Sequence, residues 1–213
     1  FDDCDAFGKI LAATVWALGC VTSKLKAFIA DGANANWGIW EKHFKHLRFT
    51  PILDIIHAVT YVYSAAMAGR NSAEGGEVYR RWITWVWQGK VLKVVEELAE
   101  RLRELGEAPP DAPDSDPRNV VARTLTYLRN QSSRMDYPEY RRLGLPISSS
   151  PIESTVKQIN YRVKGTEKFW SRQGGEAMLQ LRGDILSSSM PLEVYWATRP
   201  SKATGTRSYA SAQ

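Results

Sequence analysis

Three acidic residues of this chain stand where a carboxylate could do chemistry: Asp31, Asp54 and Glu153. Asp31 closes the apolar run Ala27-Phe28-Ile29-Ala30 and is followed by Gly32 and Ala33. An acid directly after a buried strand lies at the strand's carboxyl end, where open α/β sheets bind ligands. There it reaches a metal ion without being buried unpaired. An Asp in that position also caps the turn or helix that follows. Asp54 and His57 form an Asp-x-x-His at the end of a second apolar run. The acid then caps the next helix, with the imidazole one turn inside it, and a paired carboxylate fixes a His tautomer and raises its basicity. The pair is too small for a zinc site, and no Cys or His cluster supplies further ligands. On spacing alone, a capping Asp beside a satisfied, half-buried His is the better account. Glu153 sits in Ser150-Pro151-Ile152-Glu153. Ser at the N-cap, Pro at the first helical position and Glu at the third is the capping-box pattern. Capping and metal binding compete here for the same oxygen atoms.

The elements that must position these residues alternate at first. Residues 3–19 predict a helix, with Phe7, Ile10, Leu11, Val15 and Leu18 on one face and Gly19 as its stop. Residues 25–30 predict a strand ending at Asp31, and residues 37–47 a helix. Residues 49–54 predict a second strand, and residues 55–69 a helix stopping at Gly69. This helix–strand–helix–strand–helix order predicts an α/β layer with neighbouring parallel strands. From residue 72 the periodicity is helical only. Gly89 divides two helices, and Asp116-Pro117 starts another after a Pro- and Asp-rich loop. Trp82 and Trp85, three residues apart, belong on a core face, although aromatic rings also stack on unpaired bases. Residues 137–150 read as a connector, residues 151–163 as a strong helix, and residues 175–186 as a last helix. The expected division is 1–71, an α/β part; 72–142, an all-helical insertion; 143–190, helices carrying Glu153; and 191–213, a basic disordered tail.

The chain has 213 residues, a net charge of +5 and 44% apolar residues, enough for a core. Its basic residues concentrate between 161 and 182, where Arg162, Lys164, Lys168 and Arg172 make a candidate surface for DNA phosphates. A solvated basic face is the plainer account of them. Two cysteines without metal-ligand spacing point to a reducing, cytoplasmic setting. The acidic start is unlike a secretion signal, and no apolar run is long enough for a membrane span. The chain starts without Met, as a fragment would.

The order of these features resembles a known family. An Asp-Gly-Ala followed by Trp37-x-x-Trp40, then Ile52-Leu53-Asp54-Ile55-Ile56-His57, then a helical stretch, then RMDYPEYRRLGLPISSSPIESTVKQINYRVKG with Trp-Ser-Arg after it, is similar to DDE-type insertion-sequence transposases. The likeness is to the Kra-type branch, related to Mutator-like enzymes, and runs from about residue 7 to 186. It implies an RNase H-like core, here incomplete and interrupted by an all-helical insertion, in a helix-dominated α/β fold. It further implies DNA transposition by metal-dependent phosphoryl transfer, with two Mg²⁺ or Mn²⁺ ions held by three carboxylates. Asp31 matches the second Asp, Glu153 the Glu, and Asp54 with His57 a supporting C/D-x-x-H motif. Double-stranded DNA is the implied partner, with a homo-oligomer as a further expectation. The first Asp of the triad belongs in an upstream strand that this sequence does not contain, so the chain alone is expected to be inactive in strand cleavage. A DNA-binding remnant without catalysis is the alternative.

Overall fold

Helix and strand alternate through the first seventy residues, as the periodicity predicts. The computed structural model describes residues 4–165 and 167–198, so Asp2, Asp3 and the part of the expected tail beyond 198 lie outside it. Helix α1 spans Cys4–Ala17, and Gly19 follows with a left-handed φ of 70°. Strand β1 is Ala27–Ala30 and strand β2 is Thr50–Leu53. They run parallel, with Ala27 opposite Thr50 and Ala30 opposite Leu53. Between them, α2 (Asn34–Ile39) continues into one π-helical turn, Trp40–Phe44. Helix α3 (Ile55–Met67) follows β2 directly. The architecture is helix-dominated with a small two-stranded parallel sheet among the described residues.

The face of α1 differs from expectation. Leu11, Ala12 and Val15 pack against Ile39, Phe44 and Phe49, whereas Phe7, Ile10 and Leu18 are exposed. Gly8 decides which stripe faces inward. A Cβ there would come within 2.5 Å of the His43 ring, so the helix seats on the side where it has no side chain. Periodicity locates a helix but does not choose between two apolar stripes.

Helices α4 (Ser72–Trp87) and α5 (Val91–Leu105) meet at Gly89, whose φ is 72°. Helix α6 (Pro117–Gln131) starts at Asp116, whose side chain accepts from the Arg118 amide. The expected connector contains a short helix, α7 (Tyr137–Arg142), capped by Asp136. The stretch expected to be an insertion shares its core with the sheet. Ile52, Leu53, Val62, Trp82, Leu98, Val121, Leu128 and Tyr137 belong to one buried cluster. Trp82 is fully buried and donates from Nε1 to Glu97 Oε2 at 2.6 Å, so its polar atom is satisfied while the ring fills the core. Trp85 is half-buried against that core, as expected. The Tyr137 hydroxyl donates to Leu53 O at 3.1 Å, tying α7 to β2.

The chain divides into two compact units, up to residue 150 and from 151. Described by itself, the second unit holds α8 (Ser150–Val163), α9 (Arg172–Leu186) and α10 (Pro191–Thr198). Residues 191–198, expected in a disordered tail, are therefore helical. No described residue of these three helices is buried. No described helix is long and apolar enough to cross a membrane.

Candidate functional site

The parallel register brings Asp31 and Asp54 to the same edge of the sheet. Each follows the last paired residue of its strand, and the Asp54 amide donates to Ala30 O at 2.8 Å. Their environments then diverge. Asp31 is exposed, and its Oδ1 accepts from the Ala33 amide at 3.0 Å and from Asn36 Nδ2 at 2.9 Å. These bonds fix the carboxylate at the entry to α2. The residue is exposed, and both of its hydrogen bonds among the described residues go to Oδ1, with none to Oδ2. The local-turn reading of the sequence holds: one oxygen serves the entry to α2.

Asp54 is hydrogen-bonded at both oxygens. It is 1% exposed and caps α3, with Oδ1 accepting from the Ile56 amide at 2.8 Å. Its Oδ2 accepts from the Ser149 amide at 2.9 Å and from the Ser149 hydroxyl. The neighbouring Ile55 amide donates to Ile147 O at 3.0 Å, so residues 147–149 are fastened to the end of β2. A buried carboxylate needs this many donors, since an unpaired buried charge is far costlier than a paired one. His57, half-buried on the first turn of α3, has a ring nitrogen within 4.8 Å of an Asp54 oxygen. The Asp-x-x-His spacing therefore does bring the two side chains together.

Glu153 lies in the first turn of α8, exposed, in the second unit. That helix begins at Ser150, whose amide donates to Ser148 Oγ at 3.1 Å. The basic residues of the same unit play different parts. Lys168 Nζ donates to the carbonyls of Tyr161 and Lys164, closing the last turn of α8, where a cation also complements the helix dipole. Arg162, Lys164 and Arg172 are exposed. Arg162 lines a cleft of about 390 Å³ together with Lys157, Tyr161 and Arg182. Lys157 and Arg182 extend the basic surface beyond the four positions read from the sequence.

Several residues that hold this region were not singled out from the sequence. The Tyr127 hydroxyl donates to Asp31 O at 2.8 Å, and Gln131 Nε2 donates to Gly32 O at 3.1 Å. Gln131 had a signal: it continues the buried stripe of Val121, Leu125 and Leu128 on α6, and a polar residue in such a stripe demands a partner. Ser149 had none, since its partner lies far away in sequence.

Comparison of the chain with protein-family models, with curated proteins and with solved structures finds no match. The chemistry open to the site thus rests on its own donors. An exposed carboxylate oxygen at the carboxyl edge of a parallel sheet is a hard ligand, suited to Mg²⁺ or Mn²⁺. Asp54 differs in that each of its oxygens already accepts from the protein.

Proposed function

We propose that this chain carries the second and third carboxylates, Asp31 and Glu153, of a DDE-type transposase with an RNase H-like core, acting on double-stranded DNA. The observation that carries the reading is the pair of parallel strands ending in register at Asp31 and Asp54, with a free oxygen on the first and a fully engaged carboxylate on the second. That division of labour agrees with the resemblance, in which the first residue is a metal ligand and the Asp-x-x-His motif is its support. Divalent ions held by such carboxylates supply activation of the attacking oxygen and stabilisation of the leaving one in displacement at phosphorus.

The chain's own residues do the rest. Ala33 and Asn36 orient the Asp31 carboxylate. Ser149 and the Ile56 amide hold the Asp54 side chain in place. The basic cleft of Lys157, Arg162 and Arg182 offers charge for the DNA backbone, with Lys164 and Arg172 as further contacts and Lys168 chiefly as the cap of α8. No residue of this chain is assigned to the first carboxylate of the triad.

The test is Mg²⁺- or Mn²⁺-dependent nicking of duplex DNA carrying element ends, using the full-length gene product. Asp31→Asn and Glu153→Gln are expected to abolish nicking while leaving DNA affinity within about twofold, because neither carboxylate supplies phosphate contacts. Nicking that survives both substitutions would falsify the assignment.

A further inference from the structure

The turn that carries Asp31 is held from a distance by α6. Tyr127 and Gln131, one helical turn apart, donate to the two consecutive carbonyls of Asp31 and Gly32. Each donor is itself fixed. The Tyr127 ring stacks on Tyr61 with centroids 3.9 Å apart and planes 10° from parallel. Gln131 is 4% exposed, and its Oε1 accepts from Arg134 Nη1 at 2.9 Å, which leaves its amide hydrogens facing Gly32. Gly32 is shaped to match. Its φ of 97° belongs to the left-handed region, and a Cβ there would lie 2.7 Å from the Tyr127 ring.

Two further facts give this arrangement a purpose beyond stability. The turn it holds is exposed and follows a strand of only four residues, so local structure alone would leave the carboxylate loosely placed. The same turn sets whether Oδ1 reaches Ala33 and Asn36, and so whether Oδ2 is left without a hydrogen bond. Ligands for a metal ion need placement to within about 0.5 Å, which side chains anchored on rigid elements provide.

We propose that Tyr127 and Gln131 are positioning residues for Asp31, with α6 setting the direction in which its free oxygen meets a divalent cation. This rests on Asp31 being a metal ligand, and the experiment keeps the two ideas apart. Tyr127→Phe deletes one hydroxyl and keeps the stack on Tyr61; Gln131→Met keeps the volume. Amide hydrogen exchange is followed by NMR, and Mn²⁺ alone is titrated by paramagnetic broadening. The Ala33 amide, held by Asp31 Oδ1, is expected to exchange about threefold to tenfold faster in each variant and faster still in the double variant, the range set by losing one hydrogen bond. Mn²⁺ affinity is expected to fall by a similar factor, while α6 amide protection stays as in the wild type and the thermal midpoint falls by no more than about 2–4 °C per variant. Tyr63→Phe, on the exposed side of α3, is expected to change neither. Ala33 exchange that is unaltered in the double variant overturns the positioning role. Mn²⁺ binding that is unaltered by Asp31→Asn overturns the metal reading instead, and the Ala33 exchange rates still decide whether α6 holds the turn.

Discussion

Asp31 and Asp54 are the same residue type at the same place on adjacent strands, yet they have different chemistry. The difference lies in how many donors each meets. Asp54 meets three, from Ile56 and twice from Ser149, and is buried; Asp31 meets two on a single oxygen and is exposed. Removing the Asp54 carboxylate strips α3 of its cap and leaves the Ser149 amide without its acceptor. Asp54→Ala is therefore expected to destabilise the fold by about 2–4 kcal/mol in urea unfolding, combining a lost cap with an unsatisfied donor. Asp54→Asn, which retains an acceptor, should cost clearly less. Near-equal losses would mean that the charge matters more than the hydrogen bonds. The Asp31 and Asp54 positions were legible in the sequence because each follows an apolar run. Their unequal roles were not, because the deciding partner of Asp54 is 95 residues away.

At the scale of elements, the ends of helices were the clearest part of the sequence. Gly89 and Asp116-Pro117 act through their own backbone neighbours, so local pattern was enough to find them. The inward face of α1 and the two turns of α7 depend on what they pack against, and periodicity does not contain that. Asp116 also makes the start of α6 sensitive to acid. The Arg118 side chain, then its amide, hold the Asp116 carboxyl at a pKa of about 2, below its ordinary 3.8. A depressed pKa stabilises the fold above the ordinary value, and that stability is lost as pH falls from about 3.8 through about 2. Protection of the first-turn amides of α6 is expected to drop across that window. In Asp116→Asn it should already be reduced at neutral pH and show no step there, whereas an unchanged step would assign it to another carboxylate.

For the molecule as a whole, burial is concentrated in the first unit. Every residue of the main buried cluster lies between Ala30 and Leu145. The helices of the second unit leave large apolar side chains such as Ile152, Leu179 and Ile185 exposed. Cooperative unfolding follows the buried core. A chain ending at residue 150 is expected to keep a thermal midpoint within about 3 °C of the full chain, since little of the unfolding enthalpy resides beyond it. A larger fall would show that the second unit stabilises the first. DNA affinity, by contrast, should be lost with the basic cleft. The shared core also alters the picture drawn from the sequence. A boundary near residue 71 was expected where strands give way to helices, yet Val62, Trp82 and Leu98 meet in one interior.

The π-helical turn at Trp40–Phe44 bears on how this chain tolerates change in length. A π-turn accommodates one residue more than an α-turn, so it absorbs an insertion without breaking the helix. Deleting one residue there would restore regular helix and displace the residues of the turn itself while the flanking helix keeps its register. His43 would then turn away from Gly8 and Asp5, and Phe44 from Phe28 and Phe49, undoing the seat of α1. The segment between the two strands is thus fixed in residue count as well as in composition, and the Pro-rich stretch before α6, outside both strands and their connection, is the place where a change of length is expected to be tolerated.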